Sequence, residues 1–159
     1  MASSFYPKVF EKVLSGELDL SGGAGSDTVK LLLLGDYATY PLDVTHEFVS
    51  NLSGELVDGA GGVINYARKT IPVTLSYNSE AGLEGCDLNF ALTTNAIWGP
   101  DDGGAATFTT GHAILFVDKG GADSANPLLY YFDLSANQVV SSGTFELRNP
   151  TTAPRVRRA

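Results

Sequence analysis

Apolar and polar positions follow two different rhythms along this chain. In "TIPVTLSY", Ile71, Val73, Leu75 and Tyr77 alternate with Thr70, Pro72, Thr74 and Ser76, and in "CDLNFAL", Cys86, Leu88, Phe90 and Leu92 fall on every second position. That period of two predicts strands with one buried and one wet face. Three other stretches do not alternate: 29–34, 113–117 ("AILFV") and 128–132 ("LLYYF") are apolar throughout except for Lys30. Strands of this kind are covered on both faces. The two later runs are expected to form a central hairpin, joined by the polar loop 118–126. That hairpin would pack between a sandwich core and either the N-terminal helix or a second subunit.

Helical spacing appears once with clarity. In "SSFYPKVFEKVLSGELDL" the residues Phe5, Val9, Phe10, Val13 and Leu14 form one stripe, Ser4 is placed to cap, Pro7 suits a first turn and Gly16 ends the pattern, so a helix is predicted over about 5–15. Thr45, Glu47, Phe48 and Leu52 in "DVTHEFVSNLSGEL" suggest one or two helical turns over a sheet edge. A short strand is expected at 63–67, and Pro72 confines its strand to an edge. "TNAIWGPDDGGAATFTTG" reads as a long turn-rich loop that exposes or half-buries Trp98, and "GTFELRN" as a last strand in which Phe145 and Leu147 alternate with polar residues. Seven or eight short strands and one leading helix make the fold class mainly β: a jelly-roll-like β-sandwich or small β-barrel with a short N-terminal helix. Residues 1–150 form a single domain in this reading, and 151–159 an extended basic C-terminal arm.

Composition supports the same picture. The 159 residues suffice for one core, which at this size buries roughly 68–70% of the unfolded surface, and 18 glycines with 7 prolines suit short strands and turns. Charge sharpens it further. The net charge is −8, yet Arg155, Arg157 and Arg158 crowd the last five positions; without them seven basic residues face eighteen acidic ones, about −11, and such a body repels nucleic acid. The lone Cys86 cannot form an internal disulfide and reads as a small buried hydrophobe. No apolar run reaches the length of a membrane span, and "KLLLL" follows "SGGAGSDTV" rather than a basic segment, so a soluble chain without an export signal is expected.

Candidate chemistry is sparse. His46 and His112 stand outside any nucleophile or metal motif, and neither G-x-S-x-G nor H-E-x-x-H occurs. Asp101 and Asp102 lack the spaced oxygens of a calcium loop, as do Glu80, Glu84 and Asp87, and the glycine-rich "SGGAGSD" and "DGAGG" lack phosphate-binding context. No catalytic residue, metal or cofactor is expected. Two features remain as partner contacts: the arginines 155, 157 and 158, which suit an acidic neighbour, and Trp98, which beside Asp101 and Asp102 would be the stacking platform of a glycan-binding loop. A carbohydrate-binding module or minor hydrolase would need that loop.

In order and spacing the chain resembles a family of small structural proteins of tailed bacteriophages. The match runs through "FYPKVFEKVLSGELDLSGG", "SDTVKLLLLGDYATY", "THEFVSNLSGELV", "YARKTIPVTL", "CDLNFALTT", "HAILFVDKGG", "NPLLYYFDLS" and "GTFELRNP", nearly the whole of residues 5–150. The resemblance implies a non-enzymatic virion component. Its first form is a capsid decoration or cement protein, typically a trimer, bridging subunits of the major capsid protein. The alternative is a tail, baseplate or fibre-associated protein with receptor contact. The segment "GPDDGGAATFTTG" and the "RVRRA" end depart from the pattern.

Overall fold

A computed structural model describes residues 3–80, 83–100, 103–148 and 155–157. The elements in chain order are β1 (Ser3–Phe5), α1 (Pro7–Leu14), β2 (Thr28–Leu34), β3 (Lys69–Thr70), β4 (Val73–Glu80), β5 (Leu83–Phe90), α2 (Leu92–Asn95), β6 (Ile97–Trp98), β7 (Ala106–Asp118), β8 (Leu128–Gly143), β9 (Phe145–Glu146) and β10 (Arg155–Arg157). The fold is mainly β and every strand pairing is antiparallel. A five-stranded sheet runs β1-β8-β7-β2-β3, a three-stranded sheet runs β10-β5-β4, and β6 pairs with β9. None of these sheets closes on itself, so the layout is an open sandwich rather than a barrel.

The apolar runs occupy the middle of the larger sheet. β7 pairs with β2 from Val29↔Val117 to Leu34↔His112, and with β8 through Ala113↔Phe132, Ile114↔Tyr131 and Leu115↔Tyr130. Alternation then sends successive side chains to opposite faces. Leu31, Leu33, Ala113, Leu115, Val117 and Phe132 face one layer, where Val73 of β4 and Leu88 and Phe90 of β5 pack with them. Leu32, Leu34, Ile114, Phe116 and Leu128 face a second, smaller layer with Tyr6 and Val49, flanked by Leu42, Leu52 and Tyr131. Between Leu115 and Phe116 the register shifts, so that β8 carries Leu129 as an extra residue there. This β-bulge gives both Leu129 and Tyr130 to the larger layer.

The cover of the second face differs from both expectations. α1 packs Val9 and Phe10 into the larger layer, and it is the loop after β2, residues 36–56, that lies over Ile114 and Phe116. That strap contains the single 3₁₀ turn Val49–Asn51, the residue of the predicted helical turns. Backbone bonds fasten it at both ends: Leu56 N–H donates to Leu33 O, Gly35 N–H to Gly54 O, Val49 N–H to Asn126 O and Leu128 N–H to Glu47 O, at 2.8 to 3.0 Å. Asp36 and Asp43 accept from the backbone N–H groups of Thr39 and Thr45, which shapes its turns without regular structure.

Other expectations change in detail. The helix begins at Pro7, because Ser3–Phe5 is used as a strand against β8; Tyr6, not Ser4, holds the cap position, with no side-chain cap bond. Residues 63–67 form no strand and contribute one bridge, Ile64↔Thr107. The alternating stretch 70–77 is divided at Pro72: β3 ends the large sheet, β4 ends the small one, and the chain crosses between them where a missing N–H does no harm. β7 starts at Ala106, inside the presumed loop. The described part of the C-terminal arm is also drawn into the body, since Arg155 pairs with Asp87 and Arg157 with Gly85 along β5.

If the strap is the cover of a true second core, truncation beneath it is costly. Phe116→Ala is expected to lower unfolding free energy by about 3–5 kcal/mol, whereas Val44→Ala, at an exposed position of the strap, changes it by no more than about 0.5 kcal/mol, both measured by urea denaturation.

Candidate interaction surface

Trp98, the sequence's first choice for a ligand platform, lies fully buried. Its short strand, β6, pairs with Phe145–Glu146 and turns the indole inward, where Nε1–H donates to Ala67 O at 2.8 Å. Tyr66 stacks on the ring at a centroid distance of 6.3 Å, and Phe108 and Phe145 pack around it. With both faces taken, Trp98 serves the core and offers no sugar a surface; the expectation of an exposed loop fails because "AIW" continues as a strand. Asp101 and Asp102 lie outside the described residues.

The basic cluster divides similarly. Arg155 and Arg157 stand on β10 at the edge of the smaller sheet, opposite Asp87 and Gly85 in register, while Arg158 is outside the described residues. The Cys86 side chain and those of Glu80, Glu84 and Asp87 also fall outside them. Among the described residues no three His, Cys, Asp or Glu side chains gather where one metal ion would reach them, and no helix is long and apolar enough to cross a membrane.

The ionic feature that sequence reasoning missed is centred on Arg68. Its Nε and Nη2 donate to Glu55 at 2.7 and 2.6 Å, and Nη1 and Nη2 donate to Asp123 at 2.8 Å. The guanidinium carbon also sits 5.1 Å from the Phe116 ring centroid. Two forked carboxylates and one aromatic face use the full geometry of an arginine. The hydrogen bonds from Arg68 hold the Asp123 carboxyl below its ordinary range, and the pair of carboxylates pushes Arg68 further up. Because Glu55 belongs to the strap and Asp123 to the β7–β8 loop, this contact locks the strap rather than waiting for a ligand.

His112 is a different kind of buried group. It opens the two-sided part of β7, with the Tyr37 ring 4.7 Å away, and neither of its nitrogens has a hydrogen-bond partner among the described residues. Gly111 beside it is obligatory, since a Cβ there would lie 2.4 Å from the Tyr37 Cα and 2.5 Å from its N. Asn137, carried out of register on β8, accepts from the Tyr37 N–H at 2.7 Å and donates to Asp36. The histidine is thus closed under the start of the strap. His46, by contrast, is half-buried beside Asp43, with Nε2 at 3.6 Å from the carboxylate.

Two grooves lie on the described surface. One, about 270 Å³, is apolar and runs between α1 and residues 18–21. The other, about 410 Å³, lies over the far half of the β7–β8 ribbon, beside Val63, Thr107, Thr109 and Val139. Asp19 and Ser21, which line the first groove, hydrogen-bond to each other within an exposed turn, and neither groove is lined by a histidine or a lysine. The geometry therefore defines a mainly β scaffold whose buried polar groups serve its own packing. No family model, curated protein or solved structure matches the chain.

The enclosure of His112 has a pH consequence. Burial pushes its pKa below the ordinary histidine value, against opposing pulls from Asp133 and the Tyr37 backbone. The unfolded chain, with a histidine near about 6.5, then binds the proton more readily, so stability is full above that pH and falls as pH drops below it. Urea midpoints from pH 7.5 to 5 are expected to decline for the parent and to be much flatter over that interval for His112→Phe.

Proposed function

We propose that this chain is a structural protein of a tailed-phage virion, with capsid decoration its leading role. In that role it would bind subunits of the major capsid protein as a homo-oligomer, three-fold in the arrangement the resemblance implies, and stabilise the shell by contact area rather than turnover. The observation that carries the reading is the use of the chemistry-bearing side chains. Trp98, His112 and Arg68 are each spent on the protein's own packing, as a structural protein of the suggested kind would use them.

β10 offers a surface for that role: residues 155–157 pair with the chain's own β5 and lie at the edge of the smaller sheet, where a neighbouring subunit would meet them. Removing residues 151–159 is expected to reduce occupancy on purified heads, measured by quantitative binding, without unfolding the two-layered core. Receptor contact through Trp98 has no basis once the indole is buried, so the tail-associated alternative would depend on another surface.

The direct test is immunogold labelling of intact particles with antibody to the purified protein. Label over the faces of the head is expected. Label confined to the tail or its tip would replace the decoration role with the tail-associated one, and particles free of label would overturn the virion reading itself.

A further inference from the structure

Helix α1 leaves part of its apolar stripe uncovered. Val9 packs into the larger layer, but Val13 and Leu14, at the end of the helix, are 40% and 88% exposed. They stand on one bank of the groove beside α1; the buried Val9 and Leu88 also line it, and the turn carrying Asp19 and Ser21 forms the other bank. At about 270 Å³ the space falls short of the roughly 300–1,000 Å³ that encloses a small-molecule ligand. It suits one or two side chains projecting from a larger partner.

Charge narrows the partner further. The lysines around the groove are already taken: Lys8 lies 3.6 Å from Glu11, Lys12 3.4 and 3.1 Å from Glu17 and Glu47, and Lys119 2.8 Å from Asp27. Asp27 in turn accepts from the Asp19 N–H at 2.9 Å, which ties that ion pair to the acidic bank. Asp19 itself is exposed and pairs with no lysine or arginine among the described residues. Its carboxylate accepts from the Ser21 N–H at 2.9 Å, and hydrogen bonds from Ser21 hold it below the ordinary carboxylate range, so it is ionised at neutral pH. An apolar slot bounded by an unpaired carboxylate is complementary to an apolar side chain with a cation beside it.

We propose that this groove docks a short basic segment of a partner protein, whose apolar side chain enters between α1 and residues 18–21 while an adjacent lysine or arginine pairs with Asp19. The net charge of −8 steers such a segment toward the chain and works against a second copy, which brings the same surplus of carboxylates. Val13 and Leu14 gain cover that the chain's own fold does not give them, and that burial supplies the affinity. Asp19 supplies the choice of sign. The inference concerns the groove alone and does not depend on the virion reading.

Fluorescence anisotropy with two labelled synthetic peptides, LKKLLKL and its acidic counterpart LEELLEL, tests this. The basic peptide is expected to bind saturably and to slow amide exchange over residues 9–21, and the acidic one to bind far more weakly. Asp19→Asn is expected to weaken the basic peptide about three-fold at low salt, and Leu14→Asn about ten-fold. Asp58→Asn removes the same charge at an exposed position outside the groove and is expected to leave binding unchanged. Both groove substitutions are at exposed side chains, so the fold is not at stake. Absence of saturable binding, equal binding of the two peptides, or an Asp19→Asn effect no larger than that of Asp58→Asn overturns the proposal. So does a mass by light scattering above the 16.7 kDa of one chain that returns to one chain in Leu14→Asn, since it assigns the groove to a second copy. None of these results alters where antibody labels a virion.

Discussion

One strand, β7, belongs to two hydrophobic layers at once, and most of the molecule is arranged to satisfy that condition. Ala113, Leu115 and Val117 need a cover on one face, and Ile114 and Phe116 need another on the opposite face. A sandwich partner sheet supplies the first. For the second, the chain uses residues 36–56, which form no regular sheet and are instead fixed by backbone bonds at their ends, aspartate-stabilised turns and the Arg68 fork. Each fastening satisfies polar groups that a buried loop would otherwise leave without partners. Gly111 follows from the same constraint, because Tyr37 must approach the β7 backbone too closely for any side chain.

This arrangement accounts for where the residues that look chemical sit. Trp98 and His112 both lie where β7 or its neighbours need volume: Trp98 between Tyr66, Phe108 and Phe145, His112 beneath Tyr37. The enclosed histidine also makes the strap acid-sensitive, since burial disfavours the cation by more than Asp133 and the Tyr37 backbone favour it. What the scaffold leaves for other molecules is its outside: an apolar groove by α1 and a terminal strand on the smaller sheet. Those features suit association, the property on which a virion role would rest.

The parts legible in the sequence were those governed by local periodicity. The non-alternating runs at 29–34, 113–117 and 128–132 announced a strand pair with no wet face, and Pro72 announced an edge. The identity of the cover was not legible, because the strap contributes Leu42, Val49 and Leu52 at irregular spacing, and their common target is set by tertiary pairing with Asn126 and Leu33. Trp98 was misplaced for a related reason: "WGP" followed by "DDGG" reads as a loop, yet two residues suffice to pair with Phe145–Glu146 and reverse the indole's direction. Arg68 left no signal, since its two carboxylates lie 13 and 55 residues away in sequence.

The central claim is that a single chain covers both faces of β7. Placing a thiol on the second face tests it most directly: Ile114→Cys in a Cys86→Ala background, labelled with a thiol reagent under native conditions at widely separated protein concentrations. The account predicts slow labelling at one rate throughout, limited by opening of the strap or by unfolding. Rapid labelling in dilute protein that slows on concentration would mean that a second chain, and not residues 36–56, provides the cover.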